Sequence, residues 1–413
     1  MFYYKYKDKL LFSQTKHIEL EESYEQALVD SDAMLYSLLD MDPYKSRKSF
    51  CLSEGSLLNL KEEGLSLLQL HNGSCSETPD WILAKAAKQQ IKAVNTSYPN
   101  WQSSLDDSPP SSWRINIVGL GDVGSTLLVG LKLLGLDKIS QIGIFDIDAN
   151  KVTRWEFEAN QILFSNLAKS PKVFVLSEKD IFDCDMFVFC VTVGIPAIDS
   201  KGIDVRMAQL EGNSKIISLY AKKAREAGFK GIFSVVSDPV DLLCKKALIE
   251  SNTDEAGVYD YKGLAPEQIR GYGLGVMHAR AVYYSSQSAN THHYLNEGRA
   301  FGPHGEHLVI ADSMINYNNE VSIKLTEQTR NANLELRKHG FKPYIAPALS
   351  SGAISIMDTL YGNWQYSATY MGGVYMGARN KLVPAGIILE RYDIPKELMD
   401  RLCDSYKELE SII

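Results

Sequence analysis

One stretch narrows the folds open to this chain more than any other. The strand-like segment RINIVG (114–119) runs directly into Gly119-Leu120-Gly121-Asp122-Val123-Gly124, and the helix-forming STLLVGLKLLG follows without a break. In such a turn the first glycine permits the tight bend and the second lets backbone approach a pyrophosphate. The third lets the helix pack closely on the strand. The helix N-terminus then offers free N–H groups and a positive partial charge to the phosphates. A second strand, QIGIFD (141–146), ends in Asp146. An acid there, about 20 residues on, holds the adenosine ribose hydroxyls and disfavours a 2′-phosphate. The pattern predicts a dinucleotide site that takes NAD rather than NADP. Asp148 is a near neighbour with the same chemistry.

The surrounding text has the matching rhythm. From Arg114 onward, short β-branched strands alternate with helical segments: INIVG (115–119), QIGIFD (141–146), KVFVL (172–176), MFVFCVT (186–192) and GIFSVVS (231–237). The clearest helices are 123–135 and 206–227. This alternation is the signature of a parallel α/β sheet. Residues 114–251 are therefore expected to form a Rossmann-type α/β domain. Residues 252–413 are expected to form an α+β substrate domain. Its elements are a strand GYGLG (271–275), a helix from about 277, a hairpin-like region at 292–311 and a long polar helix at 316–339. Two strands near 369–377 and 382–389 follow, separated by Ala378 to Lys381, and then a closing amphipathic helix. Ahead of all this, residues 1–95 read as a small α+β accessory domain. It opens with tyrosine-rich, strand-like text and includes an amphipathic helix over 80–95. Residues 96–113, rich in Ser, Pro and Asp and without periodicity, read as a linker.

Composition sets the class. A length of 413 residues allows two or three domains. A net charge of −8 argues against general nucleic-acid or anionic-membrane binding. No apolar run approaches the ~20 residues of a membrane span. Charges interrupt the start, MFYYKYKDKLLFSQ, which is unlike a secretion signal. The 6 cysteines are scattered and form no C-x-x-C pair, so no metal site is expected. They fit a reducing, cytoplasmic setting.

From Arg114 to the C-terminus the chain resembles the lactate/malate dehydrogenase family, through six motifs in order. They are GLGDVGSTLLVGL with FDIDANKV, VTVGIPAIDSKGIDVRMAQLEGNSKII, VVSDPVDLL, GYGLGVMHARAVYY, GPHGEHLVIADS and GGVYMGARNKLVPAGIILE. The resemblance implies a homo-oligomer, dimer or tetramer, acting on a small 2-keto or 2-hydroxy acid with NAD. It adds Asp122, Val123, Thr192, Val193 and Gly194 to Gly119, Gly121, Gly124 and Asp146 as cofactor-binding residues. It makes His304 the acid/base, Arg280 the carboxylate clamp and Arg206 the carbonyl-polarising residue of a mobile loop. The chemistry of these side chains agrees. Imidazole titrates near neutral pH, and guanidinium makes two parallel bonds to a carboxylate.

Three departures from the family pattern matter. The aspartate that the family pairs with its histidine is replaced by Met277, followed by His278. The strand-end asparagine is replaced by Asp238, a candidate to pair with His304 and take over the missing role. Glu306 is a second candidate. The loop position where malate enzymes carry a side-chain-binding arginine falls near Ala197, which argues against malate or oxaloacetate. The expectation is an NAD-dependent 2-hydroxy acid oxidoreductase with an altered substrate. The alternative is a diverged, dehydrogenase-like dinucleotide-binding or regulatory protein.

Overall fold

The computed structural model describes residues 1–70, 78–164, 170–193 and 205–413, without the side chains of 205–208. Residues ahead of the glycine turn build a six-stranded sheet of their own. β1 (Phe2–Tyr6) and β2 (Lys9–Ser13) form an antiparallel hairpin that turns at Lys7, whose φ is 56°. β3 (Glu21–Glu22), β4 (Leu35–Leu39), β5 (Ser49–Cys51) and β6 (Ile91–Asn95) complete it in the order β3-β1-β2-β4-β6-β5. The central strands β2, β4 and β6 are parallel. α1 (Glu25–Val29) and α2 (Asp80–Ala87) cover one face, where Leu28, Ile82 and Ala86 pack on Phe12, Leu35 and Ile91.

Two expectations fail here. The helix expected over 80–95 stops at Ala87. Gln89 takes a left-handed φ of 59°, and the chain then enters β6, the strand between β4 and β5. Ile82 and Ala86 carry a true helical period, but Ile91, Ala93 and Val94 continue the apolar text for a different reason. They fill a strand buried along its whole length. A short apolar run of this kind does not separate helix from strand by period alone. The expected linker, 96–113, is also packed. Tyr98, Trp101 and Leu105 are buried against Tyr4, Leu11, Tyr36 and Val94 on the second face of the sheet.

The main body is a nine-stranded sheet. Six parallel strands come first: β7 (Trp113–Val118), β8 (Ile139–Phe145), β9 (Lys172–Val175), β10 (Met186–Phe189), β11 (Ile232–Val235) and β12 (Ile269–Gly271). Their spatial order, β9-β8-β7-β10-β11-β12, is the 3-2-1-4-5-6 order of a doubly wound dinucleotide-binding sheet. Such a sheet is buried on both faces, so its central strands are mostly apolar rather than alternating. Met186 and Val188 of β10 point into one core with Leu127, Leu128 and Leu131. Phe187 and Phe189 point into the other with Ile217 and Leu243. The connecting helices are α3 (Asp122–Leu134), α4 (Ala149–Asn160), α5 (Val205–Glu226) and α6 (Val240–Asn252).

The second half extends the same sheet. α7 (Leu274–Ser285) leaves β12, and α8 (Tyr294–Glu297) leads to the hairpin β13 (Arg299–Phe301) and β14 (Val309–Ala311). α9 (Asn319–Lys338), a π-helical turn (Pro347–Ile354) and α10 (Ser355–Tyr361) follow. β15 (Gln365–Met371), β16 (Val374–Val383) and β17 (Gly386–Leu389) then add to β12 with antiparallel pairing, and α11 (Lys396–Ile412) closes the chain's described part. The strand expected at 271–275 is thus shorter, and its second half is the start of α7. The break expected at 378–381 lies instead at Gly372-Gly373, with φ of 62° and 113°. β16 runs straight through Arg379 to Lys381 because their charges are accommodated. Arg379 pairs with Glu390, and both cations lie over the Trp364 ring.

The N-terminal sheet sits where the parallel strands begin, not where they end. The Glu267 carboxylate accepts hydrogen bonds from the Lys48 and Ser49 backbone N–H groups and from the Ser49 hydroxyl. Cys51 packs with Val383, Ala385 and Ile388. Among the described residues, no helix is long and apolar enough to cross a membrane.

Candidate active site

A doubly wound sheet leaves its ligand crevice at the carboxyl ends of the strands, where the order reverses. Here that point lies between β7 and β10, and it opens on the glycine turn. Gly119 has φ 93°, and a Cβ on it would come within 2.8 Å of the Cys190 and Val191 backbone. A Cβ on Gly124 would stand 1.9 Å from the Gly119 carbonyl oxygen, so α3 lies directly on the turn. Gly121 differs: nothing lies within 4 Å of its Cβ position. That open approach at the head of α3 is what a pyrophosphate needs, so the residues fit the cofactor the sequence predicts. Asp146 closes the far side. Its Oδ2 accepts the Leu120 N–H (2.7 Å) and its Oδ1 the Asp148 N–H (2.9 Å). The Asp148 carboxylate instead caps α4 through the Asn150 N–H. Asp122, in the first turn of α3, pairs with Lys342 at 3.1 Å, and Val123 behind it is half-buried.

The next strand end is held by a residue that the sequence reading missed. Asn213 of α5 is fully buried, and its Oδ1 accepts the Val193 N–H (2.8 Å). Its Nδ2 donates to the Asp238 carbonyl (2.7 Å) and lies 3.4 Å from the Thr192 Oγ1. One amide thus ties Thr192 and Val193, after β10, to Asp238, after β11. The Ser237 hydroxyl adds a bond to the Val191 carbonyl (2.7 Å). The only sequence signal was an asparagine on a helix otherwise packing apolar residues. Gly194 and Ala197 lie outside the described residues. Arg206 falls in the first turn of α5, its side chain outside the description.

Asp238 brings the substrate half together. His304, on the loop between β13 and β14, places Nδ1 3.3 Å from the Asp238 Oδ1. The pair is partly exposed, 21% for His304 and 50% for Asp238. Arg280 of α7 lies close enough for the Asp238 charge to oppose the lowering of its pKa by burial. Its Nη1 contacts the Met277 sulfur at 3.8 Å. Met277 itself is core, packed with Leu274, Tyr294 and Leu308. His278 is also taken up by packing. It stacks on Tyr366, its Nδ1 lies 3.1 Å from the Tyr294 hydroxyl, and burial pushes its pKa down to about 4. It is neutral near pH 7 and faces away from the acid/base role.

A buried acid stands behind the pair. Asp241, in the first turn of α6, is buried, and its Oδ1 has no hydrogen-bond partner among the described residues. Burial pushes its carboxyl up to about 7, opposed by its own backbone N–H and by the charge and backbone N–H of His304; Asp238 adds to the rise. This folded value lies above the unfolded carboxylate value near 4. Between about pH 4 and pH 7 the folded chain therefore holds a proton that the unfolded chain has lost, and stability falls as pH rises through that window. Asp241→Asn is expected to remove this fall. Chemical denaturation at pH 5 and pH 8 checks it: the wild type should lose more stability than the variant, and equal losses would contradict the assignment. The glycine turn makes a separate prediction. Gly121→Val is expected to leave the melting temperature nearly unchanged but weaken NADH binding at least ~10-fold, because the new side chain fills only the phosphate approach. Unaltered affinity in a fluorescence titration would place the cofactor elsewhere.

Residues 113–259 match the model of the lactate/malate dehydrogenase NAD-binding domain. An L-lactate dehydrogenase of Mesomycoplasma hyopneumoniae is 27% identical over 202 residues, covering 49% of this chain and 58% of the relative. L-lactate dehydrogenase 2 of Staphylococcus aureus is 26% identical over 194 residues, covering 47% and 54%. The chain thus spans just over half the length of these relatives. Among solved structures, a lactate dehydrogenase from a Medee basin deep-sea metagenome library superposes with a TM-score of 0.59 at 19% identity, covering 73% of this chain and 98% of that one. Malate dehydrogenase from Plasmodium falciparum does so with 0.56 at 18%, covering 72% and 96%. At these identities the structures show the fold. The stretch 113–259 is thus similar to the NAD-binding domain of lactate/malate dehydrogenases, and the likeness in fold extends over the rest of the main body.

Proposed function

We propose that the chain is an NAD-dependent oxidoreductase interconverting a 2-hydroxy acid and its 2-keto acid, with a monocarboxylate rather than malate or oxaloacetate as substrate. The observation that carries this reading is the contact of His304 Nδ1 with Asp238 Oδ1 at 3.3 Å. Bound NAD supplies the nicotinamide that exchanges a hydride with the substrate carbon. The chain's own residues do the rest. Gly121 and the head of α3 receive the pyrophosphate, and Asp146 receives the ribose. Asp122, Val123, Thr192, Val193 and Gly194 complete the cofactor's surroundings by their place in the family motif.

Asp238 holds the His304 ring by Nδ1, which leaves Nε2 to give a proton to the carbonyl oxygen, or to take it from the alcohol. A carboxylate on one ring nitrogen fixes the tautomer and stabilises the protonated form. Arg280 receives the substrate carboxylate, and its half-buried position strengthens that pairing. Arg206 is assigned the polarising role by resemblance. Homo-oligomer formation is part of the same proposal. Exposed Ile147, Phe157 and Leu163, on and beside α4, offer an apolar face for it. The apolar side of α11 is covered by its own chain at Leu398, Leu402 and Leu409.

One observation favours the alternative, a dinucleotide binder without turnover. A half-exposed Asp238 adds negative charge close to where a substrate carboxylate binds. The two readings part on one variant. If Asp238 orients His304, Asp238→Ala is expected to lower kcat by about 10²-fold or more while NADH affinity stays within twofold. An Asp238→Ala enzyme with undiminished kcat would remove the proposed dyad.

A further inference from the structure

A cleft of about 540 Å³ opens at the end of the sheet where the parallel strands begin, across the fold from Gly119 and Asp238. Lys48 and Lys92 of the N-terminal sheet form one wall, and Trp113, Arg270 and Glu267 of the main body form the other. The inner charges do not balance. Arg270 of β12 is 0% exposed, and among the described residues it makes no ion pair. Its Nη1 donates to the Asn380 Oδ1 at 3.3 Å, and its Nη2 has no partner. Trp113 is buried as well, and its Nε1 also lacks a partner. Lys92 is 5% exposed; its ammonium donates to the Ser104 and Asp107 carbonyls at 2.9 and 2.7 Å, which leaves one N–H over. The Lys48 ammonium donates to the Ser103 hydroxyl (2.8 Å), its one hydrogen bond among the described residues.

Against these three cations stands one inner carboxylate, that of Glu267, already engaged with the Lys48 and Ser49 backbone N–H groups and the Ser49 hydroxyl. At the mouth, Asp183 and Asp185 are engaged with Arg114, and Asp106, Asp107 and Lys230 are exposed. Burial pulls the pKa of both lysines down, as expected for charges without full compensation. Burying a cation without a carboxylate, and leaving buried N–H groups unpaired, is destabilising unless a ligand supplies the partners. The inner wall thus carries unpaired donors and positive charge, the mouth carries the carboxylates, and the cleft is of ligand-binding size.

We propose that this cleft is a second ligand site, which binds a small metabolite carrying carboxylate or phosphate oxygens through Arg270, Trp113, Lys92 and Lys48. The proposal is independent of the dehydrogenase reading, because none of these residues belongs to the nucleotide or substrate site. It also gives residues 1–112 a use: they supply half of the wall.

Hydrogen–deuterium exchange on the full chain tests it, with pyrophosphate and citrate as separate probes. The expected result is slowed exchange in peptides covering 91–110 and 263–272. Protection by pyrophosphate alone makes the oxyanion a phosphate, and protection by citrate alone makes it a carboxylate. Arg270 is so deeply buried that its variants are poor folding risks, so Lys48→Met and Trp113→Phe serve instead. Each is expected to weaken the protecting probe at least ~10-fold in calorimetry; the melting temperature of the free chain holds in Lys48→Met and falls in Trp113→Phe, which shrinks a core side chain. Protection confined to peptides over Gly119–Gly124, no protection by either probe, or unchanged affinity in both variants would overturn the site.

Discussion

Three residues, Ile269–Gly271 of β12, join the two halves of this protein. β12 pairs parallel to β11 on one side and antiparallel to β15 on the other. The fit is close. A Cβ on Gly271 would fall 2.5 Å from Val240 Cγ1 and 2.9 Å from Ala368 Cβ. Because β12 is the last parallel strand, α7 leaves its carboxyl end beside the loop that starts α6. That adjacency sets Arg280 near Asp238. The same pairing carries β16, whose Gly377 carbonyl accepts the Gly302 N–H at 2.9 Å and so anchors the loop bearing His304. At the other end of β12, Arg270 enters the cleft shared with the N-terminal sheet. One short strand thus organises both places where the molecule exposes unusual chemistry.

Within that frame, the carboxylate near His304 has a different source from the one the family motif leads one to expect. The usual position holds Met277, surrounded by Leu274, Val276 and Leu308. A carboxylate there would face an apolar cluster and a high desolvation cost. Asp238 approaches from the opposite strand end, half-exposed, and is held in register by Asn213 through its carbonyl. Solvent contact keeps its charge inexpensive, and the 3.3 Å approach to Nδ1 keeps the electrostatic link to the ring. Asp241 lies deeper, and burial raises its pKa against the lowering effect of its own backbone N–H and of His304.

Much of this was legible in the chain itself, for identifiable reasons. The glycine turn, Asp146 and the short β-branched strands are local patterns, and local sterics and buried parallel strands produce them directly. The rhythm pointed to a parallel α/β sheet; its order, 3-2-1-4-5-6, came from the structure. Asp238 was recognisable as a departure, and its partner was the one expected. What escaped depends on neighbours distant in sequence. Ile91 to Val94 look helical until β4 and β5 flank them. Ala378 to Lys381 look like a turn until Glu390 and Trp364 neutralise the cations. Trp101 and Leu105 lie in linker-like text, but the exposed face of the N-terminal sheet requires a cover. Asn213 shows no signal until two strand ends approach it, and Arg270 reads as an ordinary charge until it is seen buried without an acid.

If the nicotinamide site and the relocated acid/base pair work together in one enzyme, an NADH fluorescence titration followed, on the same preparation, by NADH oxidation across a panel of 2-keto monocarboxylates and dicarboxylates should show both. The expected result is saturable NADH binding and turnover of at least one monocarboxylate, with oxaloacetate slow. Saturable binding without turnover of any acid in the panel would contradict it and leave a dinucleotide-binding protein in its place.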